Sequence, residues 1–265
     1  MYSKPTLALR YLRYLAYASS GKGHGIHSPF IFDFVTRVLN DRKHYADYDH
    51  PEELRRHMRA DLRSITVRDL GAGSAVSNQS SRRVSSIARH AAKSPKYGQL
   101  LYRMARYFSP RTLIELGTSL GITTSYLARA CPEASLYTLE GAPEIARLAR
   151  ENFEAMQLGN IRLVEGDFDD TLGKILEGIP QLDFAFIDGN HRRDPTEAYF
   201  HQLLARSHPG SVFIFDDIHW SRGMEEAWGT VCAHPAVTCT VDLFFIGIVF
   251  FRTEFYEKEH FSIRF

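Results

Sequence analysis

Cysteine is too scarce in this sequence to staple a fold. Cys131, Cys232 and Cys239 are too few for a disulfide framework and lack metal-ligand spacing, which fits packing roles in a reducing cytoplasm. Long apolar runs are missing too. No stretch reaches the roughly 18 uninterrupted apolar residues of a membrane span. Arg10 and Arg13 interrupt the apolar start and no small-residue cleavage site follows, which argues against a signal peptide. Nor is there an excess of one charge sign. The 32 Lys and Arg nearly balance the 31 Asp and Glu, so the whole chain shows no bias toward polyanions and nucleic acid is not expected as a partner. The charge is unevenly placed, though. Residues 1–110 hold 19 basic against 8 acidic residues and the remainder 13 against 23. Because the basic residues are spread rather than blocked, two parts that attract each other explain this better than a basic arm.

What is present is enough apolar residue, 44% of 265 positions, to bury a sizeable core. The first part reads as helical. Leu7, Tyr11, Leu12, Tyr14 and Leu15 form a short amphipathic pattern beside Arg10 and Arg13. Packing on the main body is its commoner use, a membrane-surface role the alternative. After the glycine-rich break at residues 21–25, Ser28-Pro29 is a helix start running to about Asn40. Further helices are expected at 51–61, 80–92 and 97–108.

From Arg111 the pattern changes to short strands alternating with helices. The strands are read at 112–116, 135–139, 161–164, 182–187, 211–215, 237–243 and 245–251. Alternation implies a parallel sheet covered on both faces. The last two strands stand too close for a crossover and should form an antiparallel hairpin. The fold expected is therefore α/β and Rossmann-like, with seven strands: five parallel ones plus a C-terminal antiparallel hairpin. The domain division expected is a mostly helical region over 1–93, serving as cap, substrate or oligomer contact, and the sheet domain over 94–265. Phe244, Phe245, Phe250 and Phe251 could serve the core or a homodimer contact.

Ligands of such sheets bind beyond the carboxyl ends of the strands, and acids and glycines gather there. The first strand runs through Glu115 into Gly117, Ser119 and Gly121. Gly117 allows a tight turn and close backbone approach, and Gly121 lets a helix start beside a ligand. The G-x-x-x-G spacing lacks the third glycine of a pyrophosphate loop. The next strand ends in Glu140, where a carboxylate can accept from both ribose hydroxyls. Strand three ends in Asp167, able to accept from an adenine amino group, with Phe168 able to pack on the purine. Each taken alone could be a solvated acid or a core aromatic; in register on consecutive strands they argue for a nucleoside-containing cofactor. Asp69-Leu-Gly-Ala-Gly-Ser74 imitates such a loop, but no acid-terminated strand follows at suitable spacing, so it is read as a glycine turn.

Strand four ends in Asp188-Gly-Asn-His191 and strand five in Asp216-Asp217. Three carboxylates at neighbouring strand ends would repel one another unless a cation sits among them. A hard divalent ion such as Mg²⁺ supplies that charge. A helix cap for the segment near Trp220 is the plainer use of Asp216 and Asp217.

Glu115-Leu-Gly-Thr-Ser-Leu-Gly121, Glu140, Gly166-Asp167-Phe168 and Phe186-Ile-Asp188-Gly-Asn-His191 resemble the successive motifs of class I S-adenosylmethionine-dependent methyltransferases. More narrowly they resemble the metal-dependent small-molecule O-methyltransferases of the catechol, caffeoyl-CoA and macrocin types. The resemblance begins near Ser94 and leaves residues 1–93 unmatched. It implies S-adenosylmethionine as cofactor, held by Glu115, Gly117, Ser119, Gly121, Glu140, Asp167, Phe168 and Asp188. It also implies Mg²⁺ or a similar ion on Asp188, Asp216 and Asp217, and a small-molecule hydroxyl acceptor. Where catechol-type enzymes carry a lysine base, this chain has His191, as in the macrocin-type branch. A histidine suits general-base work near neutral pH. Rival readings are a metal-independent methyltransferase acting on RNA or protein, a non-catalytic cofactor-binding module, and a nicotinamide oxidoreductase, the last disfavoured by the loop spacing.

Overall fold

The computed structural model describes residues 1–23, 25–68 and 79–265. Helices α1 (Lys4–Tyr17) and α2 (Pro29–Phe34) open the chain, the second continuing as a π-helical turn over Val35–Leu39. Ser28 caps α2 as expected, its hydroxyl accepting from the Ile31 amide at 3.4 Å. Then follow α3 (Asp49–Ala60), β1 (Ser64–Arg68), β2 (Gln79–Arg83), α4 (Val84–His90) and α5 (Pro95–Phe108). The alternating region supplies β3 (Thr112–Leu116), α6 (Ile122–Ala130), β4 (Ser135–Glu140), α7 (Pro143–Ala155), β5 (Ile161–Glu165) and α8 (Phe168–Glu177). It continues with β6 (Phe184–Ile187), α9 (Arg193–Leu204), β7 (Val212–Asp216), α10 (Arg222–Ala233), β8 (Cys239–Asp242), β9 (Ile246–Phe250) and β10 (Glu259–Ser262).

The main sheet has eight strands and is largely parallel. Its residues belong to two compact units, Arg42–Gly178 and Met1–Asp41 with Ile179–Phe265. In the first unit β3, β4 and β5 lie side by side and parallel. The apolar runs of β3 and β4 are largely buried, as strands covered by helices on both faces are, while β5 at the sheet edge is only half-buried. Residues before the sheet join this unit's core: Leu54, Met58, Ile65, Val67, Val84 and Ile87 cluster with Leu120, Ile122, Ile145 and Leu148. The glycine loop thus rests on α3, β1 and α4.

In the second unit β6 and β7 are parallel, and β9 runs antiparallel to both β7 and β8. The expected hairpin is therefore present. An eighth strand, β10, pairs parallel to β8; Glu-His-Phe-Ser is polar and half exposed, so it lacks an apolar signature. Residues 80–83 are strand rather than helix. They pair with β1, whose alternating Ile65 and Val67 supply the buried face. The N-terminal region is thus helical plus a two-stranded ribbon. Helix α1 packs Leu7, Tyr11, Tyr14 and Leu15 on Phe244 and Phe245, which assigns these phenylalanines to the core. The Asp69–Ser74 glycine turn lies outside the described residues. Among the described residues no helix is long and apolar enough to cross a membrane.

Candidate active site

The first unit holds the glycine loop. Gly117 has φ +102° and Gly121 φ +79°, conformations that side chains resist. A Cβ on Gly121 would also come within 2.4 Å of the Phe153 ring. The loop is pinned by the Gly117 and Thr118 amides, which donate to the Leu139 carbonyl at 3.0 and 3.1 Å. Ser119 holds a left-handed φ of +49° without being glycine. Its amide donates to Glu140 Oε2 at 2.8 Å, while Glu140 Oε1 accepts from the Ala142 amide at 3.0 Å. One carboxylate at the end of β4 thereby fixes the loop after β3.

Glu115 is fully buried. Its Oε2 accepts from the hydroxyls of Thr124 and Thr138 at 2.5 and 2.6 Å, the second a direct cross-strand partner. Its Oε1 is buried and meets no hydrogen-bond partner. Burial pushes the carboxyl up to about 7, against the pull of the two hydroxyls. A buried, unmet carboxylate oxygen beside a pinned glycine loop fits a cofactor that brings a cation or N–H donor to it. Sequence reasoning found Glu115 but not the two threonines that brace it; the strand register was the signal that would have found Thr138.

Asp167 and Phe168 sit where β5 passes into α8. Asp167 is the helix N-cap, its Oδ1 accepting from the Asp169 amide at 3.0 Å. Phe168 is half-buried. Both remain at the carboxyl edge of the strands, where Gly166 donates to the Glu140 carbonyl at 2.9 Å.

The second unit gathers the other group. Ile187 pairs with Phe215, so Asp188 and Asp216 follow side by side. Asn190 turns the chain back with φ +62°, and its side-chain Nδ2 donates to the Tyr199 hydroxyl at 3.0 Å. That turn returns His191 toward Asp188, with Nε2 to Oδ1 at 3.5 Å. Ligand atoms of Asp188, His191 and Asp216 lie within 4.8 Å of one another. Two carboxylates and an imidazole at that spacing suit a divalent cation. Asp217 stands outside this group among the described residues. It takes φ +54° and its amide donates to the Phe245 carbonyl at 2.7 Å. His219 is committed elsewhere, bridging Glu225 and Asp242 at 2.9 and 2.8 Å.

A family model described as a methyltransferase domain matches residues 114–218, spanning both groups. Residues 114–218 thus match a methyltransferase domain. The chain is 32% identical over 128 residues to a catechol O-methyltransferase of Niastella koreensis, covering 47% of this chain and 57% of that protein. A catechol O-methyltransferase of Mycobacterium tuberculosis is 30% identical over 129 residues, 48% of this chain and 57% of that protein. The chain thus spans little more than half the length of these curated relatives. An O-methyltransferase from Bacillus cereus, solved in complex with SAH, shares the fold with a TM-score of 0.56 at 22% identity. That likeness covers 83% of this chain and 97% of the other.

Proposed function

We propose that this methyltransferase domain transfers a methyl group from S-adenosylmethionine to a hydroxyl of a small molecule, assisted by a divalent cation. The observation carrying the reading is the convergence of Asp188, His191 and Asp216 at the ends of adjacent strands. A protein that only held a cofactor would have no use for that cluster. The names of the two catechol-type relatives support a hydroxyl acceptor.

S-adenosylmethionine, when bound, supplies an electrophilic methyl, and the cation supplies positive charge that eases ionisation of the acceptor hydroxyl. The remaining work falls to side chains. Glu115 offers its unmet Oε1 to the positively charged end of the cofactor. Glu140, at the end of β4, is assigned to the ribose hydroxyls and holds the loop through Ser119. Asp167 and Phe168 are assigned to the purine, and Asp188 to both cofactor and cation. Asp216 completes the cation's protein ligands together with Asp217. His191 accepts the acceptor's proton at Nε2. Residues 1–93 are assigned to shaping the acceptor's surroundings.

A second reading concerns His191 alone. Its nitrogen lies within ligand distance of the group that excludes Asp217, which favours an imidazole ligand over a free base. Imidazole ligation would shift preference from Mg²⁺ toward Mn²⁺ or other transition ions.

The test is a screen with methyl-labelled cofactor across phenols, catechols and sugars, with Mg²⁺, with Mn²⁺ and with excess EDTA. Methylation of a hydroxyl that needs the added ion is the expected result. An acceptor methylated equally fast in EDTA would refute the role of the cation. Labelling confined to RNA or protein would refute the small-molecule acceptor.

A further inference from the structure

Helix α1 has two apolar faces, and only one is used. On the inner side Tyr14 is buried and its hydroxyl donates to the Ile263 carbonyl. Tyr11 meets the Phe244 ring edge-on at 5.0 Å between centroids. Arg10 pairs with Glu225, and the Tyr2 hydroxyl donates to the same carboxylate at 2.7 Å. The helix is therefore firmly mounted without help from its other side.

That other side carries Pro5, Leu9, Leu12 and Ala16, spaced four, three and four apart, which sets them in one stripe. All four are exposed, Leu9 at 52% and Leu12 at 62%. Of the seven large hydrophobic residues exposed among the described residues, Met1, Leu9, Leu12 and Tyr17 lie in this short segment. Concentration of that kind points to a covered surface rather than to chance exposure.

Charge indicates what covers it. No acid occurs before Asp33. Lys4 and Arg13 flank the stripe, are exposed, and form no ion pair among the described residues. A second copy packed symmetrically on the stripe would bring these cations toward their own counterparts. An anionic lipid surface instead accepts leucines into its acyl boundary, cations among its phosphates and an exposed tyrosine at headgroup level. We propose that the outward face of α1 is a peripheral docking surface for anionic membranes. The proposal goes beyond the methyl-transfer reading and does not depend on it.

The test is co-sedimentation of the full chain with vesicles of phosphatidylcholine alone or with about one third phosphatidylglycerol, over a range of salt. Binding is expected only with the anionic lipid and should weaken with salt. The double variant Leu9→Ser, Leu12→Ser should reduce partitioning about tenfold or more, and Lys4→Gln, Arg13→Gln about tenfold. Because all four residues are exposed, the melting temperature should stay unchanged, which separates lost docking from lost folding. Equal partitioning of wild type and the Leu9/Leu12 variant would overturn the proposal. So would a concentration-dependent dimer, in the absence of vesicles, that the same variant abolishes.

Discussion

Glu115→Gln isolates the buried acid beneath the glycine loop. In the folded protein, burial raises the carboxyl from 4.5 to about 7, while in the unfolded chain it returns to its ordinary value. Between these limits the folded state holds a proton that the unfolded state has lost. Stability must then fall as pH rises through the window, because the slope follows protons bound unfolded minus protons bound folded. The contribution is fully present below about 4.5 and is gone above about 7. At about 1.4 kcal/mol per pH unit, the whole loss comes to about 3 kcal/mol, most of it between pH 5 and 8.

Glutamine does not titrate. Its amide nitrogen would take the place of one carboxylate oxygen, leaving a buried donor unmet at a cost of about 1–3 kcal/mol. That offset is constant with pH, so the slope carries the test. Urea unfolding of both proteins at pH 5, 6, 7 and 8 should show the wild type losing about 2–3 kcal/mol relative to the variant. A difference that stays flat across the series would refute the buried, high-pKa assignment. Titration calorimetry gives the complementary result. If a cationic group of the cofactor meets Oε1, wild-type affinity for S-adenosylmethionine should rise with pH through the same window, and the variant's should not.

Glu140→Ala removes the acceptor for the Ser119 and Ala142 amides as well as the ribose partner, so calorimetry should show cofactor affinity reduced by about 2–4 kcal/mol. Gly121→Ala must accept a left-handed φ and a Cβ against Phe153, and should lower unfolding free energy by about 2–4 kcal/mol in urea. Asp216→Asn should abolish the response to added divalent ion together with most turnover, whereas Asp217→Asn should separate a ligand from a neighbour of the site. His191→Gln should lower turnover about 10²- to 10⁴-fold while calorimetry finds cofactor affinity unchanged.

The parallel strands were legible because each is a short apolar run ending in glycine or acid, and a two-sided sheet demands that pattern. The C-terminal hairpin was legible from loop length alone. What escaped notice lacked apolar content. β2 is Gln-Ser-Ser-Arg-Arg and is defined by its backbone partner, and β10 likewise owes its existence to the free edge of β8. In the cofactor cradle, glycine announced two of the left-handed turns. The third, at Ser119, arises because Glu140 captures its amide. A composition-based reading has no access to such a bond, since it joins the loop after β3 to the end of β4.

The pair Asp216-Asp217 marks a sharper boundary to what sequence can tell. Successive residues of a strand point to opposite faces, so two adjacent acids cannot share one direction while the strand continues. Their joint service therefore requires the chain to turn at the second. It does turn, with Asp217 left-handed and its amide held by Phe245. Even so, only Asp216 joins Asp188 and His191, and it is almost fully buried at 1% exposure. His191 arrives through a bend at Asn190 that nothing in the spacing Asp188-Gly-Asn-His191 requires. An i, i+3 separation would also suit a helix, where the two side chains would share a face without closing on strand β7. Strand ends thus supply the acids in register, but the left-handed residues after them select which side chains meet.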